Sequence, residues 1–278
     1  MIKSIFVLVC LTTLPAQPHP AAQPNLYPGR TGLTLIALAN DGFALASDGA
    51  QLNADGTISE VQKIFPIGKT GAAVLAGEVS TQDPVTRPVR QEFNASRIVE
   101  LWLNAHPDAG FETARRDLSA FIAQAADRFF SQRTPGREAG KYKFALLFVN
   151  YAAGQASLSG SRYFMPATEG KPIRTEAISV APTIGDMWMF GLVKIPQELL
   201  TGNSAALNKY KADPAISKLR SSHRDQLSAR DLLSAFEVAL QAAESSDGRK
   251  FDSGHSVIAP PNRLAAIAGD GGFSFAIK

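Results

Sequence analysis

The chain has 278 residues, of which 45% are hydrophobic and 19% are charged, and this composition excludes a disordered or a fibrous protein. The formal net charge is +3 and the 28 basic residues are scattered along the chain, so we expect no nucleic-acid partner. The histidines are isolated from one another, which argues against a metal site; they are His19, His106, His223 and His255. We expect no cofactor.

The N-terminus has the features of a secretory signal peptide. Lys3 gives a positive start, an apolar run follows from Ile5 to Leu14, and a Pro/Ala-rich stretch ends at Gln23. We therefore predict a signal peptide over residues 1–23 and a secreted or periplasmic protein. A buried N-terminal strand or a cleaved propeptide is the alternative. No later segment approaches the about 20 apolar residues of a membrane helix, so we expect no membrane span in the mature protein.

Residues 15–30 are rich in proline, which predicts a linker over residues 24–30 and a single folded domain over 31–278. The prolines that carry this prediction are Pro15, Pro18, Pro20, Pro24 and Pro28. The only cysteine, Cys10, lies in the leader. The mature protein would therefore have neither a thiol nucleophile nor a disulfide.

Turn signals and apolar runs predict the order of the elements. Two strand pairs come first, residues 33–39 with 43–47 and 62–67 with 72–76, and two helices follow over 95–104 and 111–132. Another hairpin (144–150, 155–160), a strand (173–180), short helices, an amphipathic helix (228–245) and short strands complete the chain. This order predicts an α+β fold in which two antiparallel sheets are packed together with helices outside, a four-layer αββα sandwich.

The first hairpin, from Thr31 to Gly49, resembles the opening hairpin of proteasome β subunits, which belong to the N-terminal nucleophile (Ntn) hydrolases. In that family an Asp ends the second strand, a Lys starts the third and a Gly closes the fourth; Asp48, Lys63 and Gly77 match these positions, and the Lys-to-Gly spacing is kept without a gap. The resemblance implies the Ntn hydrolase fold, a peptide or amide substrate and a homo-oligomer.

The resemblance also implies a chemistry. The nucleophile of the family is a free N-terminal Thr, Ser or Cys whose own amino group takes up the side-chain proton. By resemblance Lys63 would lower the proton affinity of the nucleophile, Asp48 would hold Lys63, and the backbone N–H of Gly77 would bind the oxyanion. The predicted catalytic residues are thus Thr31, Asp48, Lys63 and Gly77.

The position of the nucleophile is left open by the sequence. Counting back from Asp48 without a gap puts Gly32 at the catalytic position, whereas one extra residue at the Asn40-Asp41-Gly42 turn puts Thr31 there. Thr34 lies too deep in the strand. An ordinary strand-entry threonine is therefore the alternative for Thr31.

The family supports the amino group with a later Asp and Ser, and Asp252 and Ser253 have these residue types but not the spacing of the family. Two functions fit these observations. The chain is either a threonine-type peptidase or amidase, or an inactive proteasome-like scaffold or binding protein. A Ser-His-Asp hydrolase is disfavoured, because the chain contains no Gly-x-Ser-x-Gly motif.

Overall fold

The computed structural model describes residues 24–28, 32–52, 57–82, 92–252, 258, 260–269 and 271–276. The predicted signal peptide lies outside these residues, and so does Thr31. Ahead of the first helix the strands are β1 (Asn25–Pro28), β2 (Leu33–Ala39), β3 (Gly42–Ser47), β4 (Ala50–Leu52), β5 (Ile58–Glu60), β6 (Ile64–Ile67), β7 (Gly71–Gly77), β8 (Ser80–Gln82) and β9 (Glu92–Asn94).

The helices α1 (Ala95–Ala105) and α2 (Phe111–Phe130) come next and confirm the predicted helical pair. The remaining elements are β10 (Tyr142–Ala152), β11 (Gln155–Phe164), β12 (Arg174–Val180), β13 (Met187–Gly191), α3 (Lys194–Thr201), α4 (Asn208–Lys211), α5 (Pro214–Ser221), α6 (Ala229–Glu244), α7 (Ser246–Phe251), β14 (Arg263–Ala268) and β15 (Gly272–Phe275). None of the helices in this described part combines the length and the apolar character that a bilayer span requires.

Most of the strands form two large sheets. The first has the order β1-β13-β2-β3-β14-β15 and the second the order β12-β11-β10-β7-β6. All neighbouring strands are antiparallel except β1 and β13, which run parallel. The two short hairpins β4-β5 and β8-β9 stand apart from these sheets.

Three apolar clusters separate four layers. One cluster, which includes Leu45, Val74 and Trp188, lies between the two sheets. A second packs the outer face of the first sheet against α3, α5 and α6, and a third packs the outer face of the second sheet against α1 and α2. The predicted α+β fold of four αββα layers is therefore confirmed.

The hairpin of β2 and β3 lies in the middle of the first sheet because both of its faces are apolar. All residues of both strands are buried, and the pairing runs without interruption from Thr34 and Ser47 to Ala39 and Gly42. The turn between them has only the two residues Asn40 and Asp41. A bulge-free pairing of this kind fixes which residue of β2 lies opposite each residue of β3.

The residues before β2 differ from the prediction of a linker. Asn25–Pro28 pairs with Trp188, Met189, Phe190 and Gly191 as an edge strand of the first sheet, so the sheet begins before Arg30. The prolines at positions 24 and 28 are compatible with this because an edge strand leaves one side of its backbone unpaired.

Candidate functional site

Asp48 joins the end of β3 to the beginning of β2. Its backbone N–H donates to Leu33 O at 3.0 Å, and its Oδ1 accepts the backbone N–H of Leu33 at 2.8 Å. The same Oδ1 accepts Lys63 Nζ at 2.8 Å. The second oxygen, Oδ2, is buried and has no hydrogen-bond partner among the described residues. An orphaned carboxylate oxygen is rare in native proteins and is typical of specialised sites.

Lys63 immediately precedes β6 and points into the interior. Its side chain is 1% exposed and that of Asp48 is 0% exposed. The neighbours Val61 and Ile64 are buried too, so water is excluded from this ammonium group. Burying two charges is costly unless they are paired with good geometry, and the 2.8 Å ion pair supplies that geometry.

Gly32 is the residue that faces this ion pair. A Cβ atom at residue 32 would lie 2.9 Å from Lys63 Nζ, 3.2 Å from Asp48 Oδ1 and 3.4 Å from Gly77 O. The structure therefore brings Asp48, Lys63 and Gly77 together around the Cα atom of Gly32. Glycine has no side chain, so no nucleophile projects from this position toward the Lys–Asp pair.

The backbone at Gly32 also requires glycine. Its φ angle is +68°, which lies in the left-handed region that residues with a Cβ rarely adopt. Leu192 donates its N–H to Gly32 O at 2.8 Å and fixes the carbonyl. In this chain the nitrogen of Gly32 is an amide bonded to Thr31, and an amide cannot act as the general base that a free amine supplies.

Gly77 ends β7 with a φ angle of +86°, and there is no space for a side chain at this position. A Cβ at this residue would meet the carbonyl oxygen of Lys143 at 2.6 Å and the ring and hydroxyl of Tyr142 at 3.0 Å. Tyr142 donates its hydroxyl to Ala76 O at 3.2 Å, and burial raises its pKa. Tyr142 was not predictable from the sequence, because a tyrosine in a strand carries no distinguishing motif.

The other candidate residues take different places. Thr34 is buried in β2 and donates its Oγ1 to Leu75 O at 3.1 Å, so it links the two sheets. Asp252 has Lys194 Nζ at 3.9 Å. Ser253, like Thr31, lies outside the described residues.

Comparison with known proteins finds similarity among solved structures. No protein-family model matches the chain, and no curated protein matches it. One similar solved structure is the "Helical Assembly of the Anbu Complex from Pseudomonas aeruginosa", which is 13% identical, covers 88% of this chain and 86% of that chain, and has a TM-score of 0.48. The sheets and the apolar clusters of this chain define its fold independently of that similarity.

Proposed function

We propose that this chain is a proteasome-like protein that lacks the nucleophile of the Ntn hydrolases and works as a binding or assembly protein. The observation that carries the proposal is Gly32. Covalent catalysis of this type needs a hydroxyl or a thiol on the residue beside the lysine and a free amino group on the same residue. A glycine in that place, joined to Thr31 by a peptide bond, offers neither group.

The ion pair then has a structural role. Asp48 joins β2 and β3 of the first sheet through Leu33, and it holds Lys63 at the entry to the second sheet. Removing either charge would leave the other buried without a partner. This role explains why a Lys and an Asp occupy these positions in a protein that does not use them for hydrolysis.

A threonine-type peptidase or amidase is the second candidate. It is favoured by the meeting of Lys63, Asp48 and Gly77 at one point, and it would use Thr31, the residue directly before Gly32. The pairing of β2 with β3 counts against it, because it contains no extra residue that would shift Thr31 into the place of Gly32. A peptide or amide substrate belongs to this second candidate only.

We also propose export and self-association. Export follows from the predicted signal peptide. A homo-oligomer would suit an assembly protein. In such an oligomer, subunits could stack only where residues 203–226, which contain α4 and α5, do not obstruct the contact.

The test is the N-terminus of the mature protein, determined by intact mass and N-terminal sequencing of material from its own compartment. We expect a start upstream of Thr31, near Pro24, and no hydrolysis of peptide or amide substrates. Thr31→Ala should change neither result. A start at Thr31, together with hydrolysis that both Thr31→Ala and Lys63→Met abolish, would overturn the proposal in favour of the peptidase.

A further inference from the structure

The strand β12 is an open edge of the second sheet. It runs from Arg174 to Val180, and β11 is its only neighbour among the strands that the structure describes. An edge strand presents backbone N–H and C=O groups that can pair with another strand. The groups that β12 turns away from β11 therefore decide what this edge can bind.

The register of the second sheet identifies these groups. In an antiparallel sheet, successive residues hydrogen-bond alternately to the two neighbouring strands. Met165 donates its N–H to Lys141 O, on the side of β10. Phe164, one residue earlier, therefore bonds to β12, where it pairs with Arg174. By the same alternation, three residues of β12 turn their N–H and C=O groups outward: Thr175, Ala177 and Ser179.

The outward groups form no backbone hydrogen bond with the residues that the structure describes. Thr175, Ala177 and Ser179 are all exposed, and their side chains are small. The residue ahead of the strand is different, because Asp127 Oδ1 already accepts the N–H of Ile173 at 2.9 Å. The free edge thus consists of three alternate residues.

The other edges of the two large sheets have features that prevent pairing with a further strand. Pro66 of β6 is exposed and has no N–H to donate, and β1 ends at Pro28. The fourth edge, β15, has four residues. In contrast, β12 has seven residues without a proline, and its charged residues Arg174 and Glu176 form an ion pair with each other. The edge at β12 is therefore open to a partner strand.

We propose that β12 pairs in antiparallel orientation with β12 of a second copy of this chain, across a two-fold axis at Ala177. The pairing would join the second sheets of the two copies into one continuous sheet. This interface rests on the proposed assembly function, and it specifies the surface by which two chains associate.

The edge is complementary to itself in this register. With Ala177 on the axis, Thr175 of each copy lies opposite Ser179 of the other, so all three outward residues exchange backbone hydrogen bonds. The threonine and serine hydroxyls can also hydrogen-bond across the two strands. An axis at Glu176 would place two carboxylates directly opposite each other, which is destabilising. A copy of the same strand thus satisfies every outward group without a contact between like charges.

The experiment measures the molar mass of the full chain by sedimentation velocity over a series of concentrations. We expect the wild type to reach the mass of two chains. Ala177→Lys and Ala177→Glu should each stay at the mass of one chain at the same concentrations, because each substitution places two like charges face to face on the axis. An equimolar mixture of these two variants should regain the dimer, because opposite charges then face each other.

A proline variant tests the backbone hydrogen bonds. Ala177→Pro removes the central outward N–H, so it should have the mass of one chain. Its circular dichroism spectrum should stay native, because an edge strand tolerates proline where the N–H points outward, as β6 does at Pro66. Ala177→Ser is the matched control. It keeps the N–H and a small side chain, and it should form dimers like the wild type.

Three outcomes would overturn the pairing of β12. One is a wild type that has the mass of one chain at every concentration. Another is a mixture of Ala177→Lys and Ala177→Glu that is no more dimeric than either variant alone, which would place the contact on a different surface. The third is a fully dimeric Ala177→Pro protein. None of these results depends on where the mature chain starts or on hydrolysis, so a failure of the proposed function remains distinguishable.

Discussion

Lys63 and Asp48 form an ion pair of 2.8 Å in the interior of the protein, and the Cα atom of Gly32 lies where a third functional group would face them. The pair is buried, whereas the position beside it has no side chain. Because both charges are removed from water, we expect the effect of the pair to appear in the free energy of unfolding.

Lys63→Met should destabilise the protein by roughly 3–5 kcal/mol, because it leaves the carboxylate of Asp48 buried without its cation. The double variant Asp48→Asn/Lys63→Met should be more stable than Lys63→Met alone. An asparagine oxygen can still accept the N–H of Leu33, and no unpaired charge remains. The free energies of unfolding from urea titrations of the three proteins measure both effects.

The exposed pair of Lys218 and Asp231 is the matched control for this prediction. Its Nζ–Oδ1 distance is 2.7 Å, similar to that of the buried pair, but its side chains are 54% and 30% exposed. Lys218→Met should cost no more than about 1 kcal/mol, since water replaces the lost partner. Equal losses from Lys63→Met and Lys218→Met would show that burial does not govern the energy of the pair at Asp48.

Gly32→Ala tests how little space there is beside the ion pair of Lys63 and Asp48. The substitution places a methyl group 2.9 Å from Lys63 Nζ and forces alanine into φ +68°. The left-handed backbone alone costs about 1–2 kcal/mol for a residue with a Cβ. We expect a total loss clearly above that range, measured by urea titration, because the ammonium group must move away from Asp48.

Gly68→Ala separates the two contributions. Gly68 has φ +59° in the turn between β6 and β7, and a Cβ there would meet nothing within 4 Å. Its loss should stay within the cost of the backbone, about 1–2 kcal/mol. If Gly32→Ala were no more destabilising than Gly68→Ala, the space beside Lys63 would be larger than the structure indicates.

Local patterns made much of the fold predictable. The hairpin of β2 and β3 follows from two apolar runs around an Asn-Asp-Gly turn, and α6 from an amphipathic run behind Ser228. The strand β13 escaped prediction. Its residues Met187–Gly191 are buried on both faces and show no alternation, and its partners β1 and β2 lie more than 140 residues earlier in the chain.

The candidate site was predictable to a similar extent. The resemblance selected Asp48, Lys63 and Gly77, which meet in space. It could not decide between Thr31 and Gly32, because that choice depends on the pairing of β2 with β3 and not on the residue types. Tyr142 was missed because its contacts with Ala76 and Gly77 join residues that are far apart in the sequence.

The N-terminal cap of α6 should contribute measurably to the stability of the protein. Ser228 accepts the backbone N–H of Asp231, and Asp231 accepts the N–H of Ser228 in return, which completes a capping box. Ser228→Ala should destabilise the protein by about 1 kcal/mol in a thermal or urea titration.

Ser234→Ala is the control for this cap. Ser234 is an exposed serine inside α6, and its hydroxyl donates to the carbonyl of Arg230. Alanine has the higher helix propensity, so this variant should be as stable as the wild type or slightly more stable. A loss at Ser234 as large as that at Ser228 would contradict a specific role of the capping box.

The burial of Tyr163 predicts that the stability of the protein falls at alkaline pH. Its ring is 1% exposed and stacks on Phe144, and burial raises its pKa to about 12. In the unfolded chain the phenol titrates near pH 10, so the unfolded state loses its proton first as the pH rises. The contribution of this group to stability is therefore complete below about pH 10 and is lost as the pH rises to about 12.

Tyr163→Phe removes this titration and keeps the ring in the core. Between about pH 10 and pH 12 the unfolding free energy of the wild type should fall more steeply than that of the variant, by at most about 1.4 kcal/mol per pH unit. Urea titrations of both proteins at pH values on either side of this window measure the difference. Parallel pH profiles would mean that the phenol of Tyr163 ionises as readily in the folded protein as in the unfolded chain, which its burial against Phe144 should prevent.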